Sequence, residues 1–240
     1  MKITECNVEL IDSMGTDISV VDAARVSFKK KSYYLYDDDD PNVEYLSDKD
    51  KKLLKYLADH NHIIPFAHAF LSFRIKAPIF IARQLGKHQV GLAWSEVSRR
   101  YVDEEPEFFF PKKWRGKPLN SKQGSTGEFD PNQPEYNLDM WSRTICVNAL
   151  DLYQKCIKEG LAPEQARMIL PQSMYTSYYV TGSLAAWGRA YKLRFEPDLE
   201  DDEDKHAQQE IRELANQWDD IISGITELQH SWIALSCGPR

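Results

Sequence analysis

Long apolar runs are missing from this chain. No stretch approaches 18 uninterrupted apolar residues, so no membrane span is expected. The opening MKITECNVELID has no long apolar core and carries acids, so it does not read as a secretory signal. Cysteine is scarce too: Cys6, Cys146, Cys156 and Cys237 are scattered, with no CxxC. They read as reduced thiols of a cytoplasmic protein rather than a disulfide framework or a zinc cage. Neither GxGxxG nor GxxxxGK[ST] occurs, which removes the usual dinucleotide and P-loop fingerprints. GxSxG is absent as well, so hydrolase logic finds no nucleophile elbow. Excess positive charge is also lacking. The net charge is −7 over 240 residues and the pI about 5.4, which argues against a general nucleic-acid binder.

What is present is an ordinary globular composition, 42% apolar and 28% charged. The length suits one domain over 1–240, or two small ones tightly fused, with enough chain to bury a core. Residues 1–46 read as an irregular start with short strands. Ser47 with Asp50 resembles an N-cap before Leu53, Leu54 and Leu57, so a helix is expected near 48–59. Residues 68–76 alternate, with Ala69, Leu71, Phe73 and Ile75 on one face, as in a half-buried strand. Pro78 suits the first position of a helix running to about His88. Residues 103–136 are rich in Pro, Gly, Ser and charge and read as a long insertion or lid. Leu138, Trp141, Ile145, Leu152 and Cys156 mark an amphipathic helix closed by Gly160. Pro163 opens a short helix that ends before Pro171, and another helix covers 181–193. Ile211, Leu214, Trp218, Ile221, Ile222 and Ile225 mark the last. Strands and helices do not alternate regularly, so the fold class is α+β, a mixed sheet with packed helices.

Charge is uneven. Between Arg74 and Tyr101 six cations face the single acid Glu96, which suits a small anionic ligand such as a phosphate monoester. On a helix, Arg83 and Lys87 would share a face, as would Gln84 and His88. After a turn around Gly91, Glu96, Ser98 and Arg100 would point the same way if that segment is extended. A helix end and a strand would then converge on one pocket; the alternative is a surface helix and strand with ordinary ion pairs. Arg167, Arg189 and Arg194 sit among aromatic and apolar residues and need partners, from the chain's own acids or from a ligand. His60, His62 and His68 complete no zinc motif, and no metal is expected. The acidic runs Asp37–Asp40 and Asp198–Asp204 read as solvated loops.

These stretches together resemble the flavin-dependent thymidylate synthases. That family carries Arg-His-Arg, seven or eight residues, then Ser; here Lys87-His88-Gln89 precede Ser98 by eight residues, followed by Arg99-Arg100-Tyr101. The segment HIIPFAHAFLSFRIKAPIFIARQ ahead of it, then ARMILPQSMYT, Leu193-Arg194 and HAQQEI at 206–211, follow the family in order. The resemblance implies an α+β homotetramer with active sites at subunit junctions. It implies FAD, deoxyuridylate (dUMP), 5,10-methylenetetrahydrofolate as carbon donor and NADPH as reductant, with no attacking enzyme cysteine. By matching position, Gln84, Lys87, Glu96, Ser98, Arg99, Arg100, Arg167 and Arg194 would hold the nucleotide. Arg194 would be the catalytic residue, beside the uracil N3. Ile64, Lys87, His88, Gln89, Glu96, Ser183, Leu184, Ala185 and Arg189 would meet FAD. Lys87 and Gln89 replace the two signature arginines, Ile64 replaces a small hydroxyl residue, and Ser183 and Ala185 stand where Asn and Arg are common. Two other readings are a non-catalytic nucleotide-binding protein that has lost flavin, suggested by Lys87 and Gln89, and a metal-dependent nucleotide phosphohydrolase using the acidic and His clusters.

Overall fold

A computed structural model describes residues 1–102, 104–118, 124–194 and 208–237. Four antiparallel strands form the main sheet: β1 (Asn7–Met14), β2 (Phe70–Pro78), β3 (Leu92–Glu96) and β4 (Tyr175–Ser183). Their order across the sheet is β1-β2-β4-β3, so the last strand in the chain lies between two earlier ones. The helices are α1 (Asp17–Arg25), α2 (Asp48–Asp59), α3 (Ile79–Leu85), α4 (Leu138–Lys158), α5 (Pro163–Ala166), α6 (Leu184–Arg194), α7 (Gln209–Ser223) and α8 (Gln229–Cys237). The α+β expectation holds.

Alternation in β2 sends Leu71, Phe73, Ile75 and Ala77 into the core. The opposite face carries Ser72 and Arg74 beside Thr181 and Tyr179 of β4, with Ser72 and Thr181 hydroxyls 2.8 Å apart. The core side is covered by α6 and α7, with α8 packed on both of them and on α2. Phe73 meets Trp187 edge-on at 4.8 Å, and Trp187 packs on Trp218. Side chains of this size contribute roughly 1.5–3 kcal/mol each on full burial. A second cluster joins Phe108, Cys146, Leu150 and Tyr153 to Leu170 and Met174.

Local chemistry explains the boundaries. Ser47 caps α2 by accepting the Asp50 amide, and its hydroxyl donates to the Asp50 carboxylate. That carboxylate also receives Arg25 at 2.5 Å, fastening α1 to α2. So residues 1–46 are not merely irregular: α1 forms there, capped by Thr16 and Ser19 in a reciprocal box. The α8 helix is capped from afar. Asp17, almost wholly buried, accepts the amides of His230 (3.1 Å) and Ser231 (2.8 Å) and the Ser231 hydroxyl (2.5 Å).

Several sequence expectations are corrected. Pro78 is the cap of α3, not its first residue, and Gly86 ends that helix three residues before the expected limit. Residues 181–183 belong to β4, because Thr181 and Gly182 pair with β2 on one side and β3 on the other and Ser183 pairs with Phe70; the helix there is 184–194. Ile225 lies beyond α7. On α4 the expected stripe is largely outward: Trp141, Ile145 and Leu152 are exposed, while Cys146, Leu150 and Tyr153 are buried. Within 103–136, Glu107–Phe108 pairs in parallel with Lys2–Ile3, and Arg115–Gly116 pairs with Thr126–Glu128. The Asp198–Asp204 run falls outside the described residues.

Candidate active site

The reversal after α3 shapes the site. Gly86 stops the helix, and residues 86–91 turn back into β3. Lys87 and His88 therefore sit in a turn, and the helical pairings Arg83–Lys87 and Gln84–His88 do not form. Gly91 closes the turn at φ +78°; a Cβ there would meet the Ala186 methyl at 3.0 Å, so only glycine allows this approach to α6. The turn is held from three sides. Arg189 donates to the Val90 carbonyl, the Ser183 amide to the Gly91 carbonyl at 3.3 Å, and Trp94 Nε1 to the His88 carbonyl at 3.3 Å.

The imidazole of His88 is buried against Arg194, whose Nε donates to His88 Nε2 at 2.8 Å. Burial first, then the positive charges of Arg194 and Arg189, pull the His88 pKa down to about 4. The ring is neutral at pH 7. Burial also lowers the Arg194 pKa, yet a guanidinium stays charged. Ser183 is buried and caps α6, accepting the Ala186 amide at 3.2 Å. Leu184 turns its side chain fully into the core, so only its backbone is available to a ligand. Ala185 is half-buried, Lys87 and Gln89 are exposed, and Ile64 is exposed just before the turn Pro65–His68. Gln84 Oε1 is buried without a hydrogen-bond partner among the described residues, an acceptor that a ligand donor would satisfy.

A second group lies at the far end of β3. Glu96 accepts the hydroxyl of Thr176 at 2.7 Å. The strand stops there, so Ser98, Arg99 and Arg100 form a turn instead of the expected extended run; the Tyr101 amide donates to the Ser98 carbonyl. Arg100 Nε reaches the Ser98 hydroxyl at 3.3 Å, and Arg99 donates to the Glu104 carbonyl. Arg167 is exposed after α5, with its Nε on the Glu164 carbonyl. At roughly 3.3 Å per residue, Leu92 and Glu96 are about 13 Å apart. Within one chain the turn 86–91 and the Glu96–Arg100 segment thus stand at opposite ends of one strand.

His60 and His62 stack loosely with Tyr56 on the surface, and His60 Nδ1 bonds the Tyr56 carbonyl at 2.8 Å. Among the described residues no group of three His, Cys, Asp or Glu side chains is placed to hold a metal, and no helix is long and apolar enough to cross a membrane. Thr176 and Trp94 escaped the sequence reading, whereas the turn expected around Gly91 is present. Thr176 was hidden in a tyrosine-rich run with no polar spacing, and no signal in the sequence marks it.

Comparison with known proteins adds to this geometry. The family model described as "Thymidylate synthase complementing protein" matches residues 9–226. A "Flavin-dependent thymidylate synthase" of Thermosipho africanus is 34% identical over 208 residues, covering 87% of this chain and 82% of the relative. One from Wolbachia pipientis is 34% identical over 236 residues, covering 96% and 74%. A crystal structure of the UMP/dUMP methylase PolB from Streptomyces cacaoi, bound with 5-Br dUMP, superposes with a TM-score of 0.77 at 28% identity, covering 97% of each chain.

Proposed function

The chain belongs to the thymidylate synthase complementing protein family, and on that premise we propose that it is an enzyme that converts dUMP to dTMP by reductive methylation. The carbon donor is 5,10-methylenetetrahydrofolate and the hydride source is FAD reduced by NADPH. The observation that carries this reading is the meeting of His88 and Arg194, two segments 106 residues apart, at 2.8 Å beside the turn 86–91.

The donor set suits a flavin nucleotide. The turn backbone packs against the N-terminus of α6 because Gly91 has no side chain; the Leu184 and Ala186 amides there are taken by the Ala69 carbonyl and the Ser183 hydroxyl, and the positive end of the helix dipole still favours a nearby anion. Lys87 and Arg189 add positive charge there. With Ile64, His88, Gln89, Glu96, Ser183, Leu184 and Ala185 they would hold FAD, which when bound and reduced supplies the hydride. Gln84, Lys87, Glu96, Ser98, Arg99, Arg100 and Arg167 would hold dUMP, the arginine forks suiting phosphate geometry. Arg194, the catalytic residue, stabilises negative charge at the uracil N3; one preorganised donor of this kind supplies about 2.7–4 kcal/mol in other enzymes.

The separation of the two groups along β3 supports a site completed by a neighbouring subunit, hence a homotetramer. The exposed apolar side chains of α4 agree with assembly. We place the protein in the cytoplasm, acting as one catalytic domain with 103–136 as an insertion or lid.

The test is a visible absorption titration. Protein loaded with FAD and freed of excess is titrated with dUMP. A retained flavin whose bands shift saturably, with dTMP formed on adding folate and NADPH, is expected. Flavin that washes out, with no response to nucleotide, would overturn the reading. Arg194→Ala should keep flavin and lose turnover.

A further inference from the structure

Arg194 is the last described residue of α6, on a side chain with several rotatable bonds. Left alone, a chain of that length spreads over many rotamers. In this protein it has one hydrogen bond among the described residues, from Nε to His88 Nε2. The partner is fixed: His88 is buried, and its turn is bonded to α6, β3 and β4 through Arg189, Trp94 and the Ser183 amide.

The chemistry of the contact is one-directional. An arginine Nε–H can only donate, so His88 Nε2 must be the bare acceptor and the ring proton must sit on Nδ1. A doubly protonated ring could not make this bond. The surroundings agree. The charged groups that face the ring are Arg194 and Arg189, both positive, and its own pKa is held down to about 4. Using Nε for His88 leaves both terminal amino groups of the guanidinium for a ligand.

Building on the synthase reading above, we propose that His88 is a positioning residue: as a neutral, Nδ1-protonated imidazole it accepts the Nε–H of Arg194 and fixes the guanidinium so that its terminal amino groups meet the ionised edge of the uracil. Lys87 and Gln89 sharpen the role. With neither signature arginine beside His88, the forks next to it are those of Arg189 and Arg194, and Arg189 is committed to Val90.

The test uses the full chain without cofactor and the analogue 5-bromodeoxyuridylate, whose electron-withdrawing bromine makes N3 more acidic. Ultraviolet difference spectra report ionisation of the bound base as pH is varied. In the unsubstituted protein, ionisation should occur at a proton concentration at least tenfold higher than for the free analogue. His88→Ala should return it to within about threefold of the free value. His88→Gln, whose amide oxygen can accept the Nε–H, should lie between. In the FAD-loaded enzyme, His88→Ala should lower kcat about 10- to 100-fold, the range expected for misplaced catalytic groups, while KM for dUMP moves less than threefold. Should His88→Ala fail to fold, His88→Met fills the volume without a comparable acceptor. An unaltered ionisation in the acceptor-free variant, or a Gln variant no better than it, would overturn the proposal. If Arg194→Ala also leaves ionisation unchanged, the role of Arg194 falls with it. If only the His88 variants are silent, Arg194 keeps its role and His88 loses the one assigned to it.

Discussion

Replacing Asp17 probes how the helices behind the site are fixed. One carboxylate begins α1 and, from 213 and 214 positions away, caps α8. Asp17→Ala leaves the amides of His230 and Ser231 and the Ser231 hydroxyl without acceptors. Water reaches half-buried His230, and the hydroxyl can turn to its own helix. The Ser231 amide has neither escape, since that residue is fully buried. An orphaned buried amide costs about 1–3 kcal/mol and a lost cap about 0.5–2. We therefore expect about 3 kcal/mol, or about 6–12 °C in Tm for a chain of this size. Asp17→Asn keeps Oδ1 for Ser231 and sets its amide against His230, so it should cost about 1 kcal/mol. Burial, opposed by the Ser231 and His230 donors, holds the Asp17 carboxyl above its ordinary pKa. The folded state then binds this proton more tightly than the unfolded chain, so the carboxyl stabilises most in acid and less as pH rises through its folded value. Asparagine mimics the protonated form, so the gap between the parent and Asp17→Asn should narrow toward neutrality. The assay is thermal unfolding by circular dichroism at fixed protein concentration, from pH 4.5 to 7.5. An alanine variant within 1 kcal/mol of the parent, or an asparagine variant equally damaging, would refute the reasoning.

Three other outcomes are expected. At Gly182 an added Cβ would overlap the Gly91 carbonyl and the Leu92 side chain; Gly182→Ala should prevent β3 from pairing with β4 and lower stability by more than about 3 kcal/mol, read by urea unfolding. Arg115 Nη2 donates to both oxygens of the buried Glu210 carboxylate at 2.8 Å, while Nη1 reaches Gln209 and Nε reaches Ser125; Arg115→Met should cost about 3–5 kcal/mol by stranding that charge, and Arg115→Met combined with Glu210→Gln should recover part of it. Since the His88 pKa is depressed in the fold to about 4, its stabilising contribution is present above about pH 6.5 and is lost as pH falls toward 4. Allowing for solvent near the ring, this amounts to about 1–2 kcal/mol, visible as a Tm slope that His88→Gln removes.

Much of the fold was readable where one signal dominated. Ser47 marked the start of α2, strict alternation marked β2, and Trp218 with its neighbours marked α7. The failures have physical causes. Central β4 alternates in burial from Tyr178 to Gly182, but tyrosine falls on both faces and glycine on the buried one, so its sequence shows no clean apolar–polar alternation and its end was absorbed into the following helix. The α8 segment, QHSWIALSC, shows no polar stripe, and its cap is a distant aspartate rather than a neighbour. The α1 box uses Ser19 where a glutamate would be the usual signal. In the candidate site, residue types were legible but their convergence was not. The turn around Gly91 was legible, but whether Lys87 and Ser98 meet depends on where that turn sends the chain, and spacing alone cannot express a direction.

The strand order has a bearing on how the chain is made. During synthesis β2 and β3 emerge about 105 and 83 residues before β4, yet neither pairs with the other. Each must wait with an unsatisfied edge until β4 arrives and slots between them. Non-local closure of this kind is slow, and waiting edges invite pairing with other chains. The nascent protein should therefore lean on chaperones until residue 183 has cleared the ribosome, and truncations ending before Tyr175 should aggregate, with no smaller folded core to fall back on.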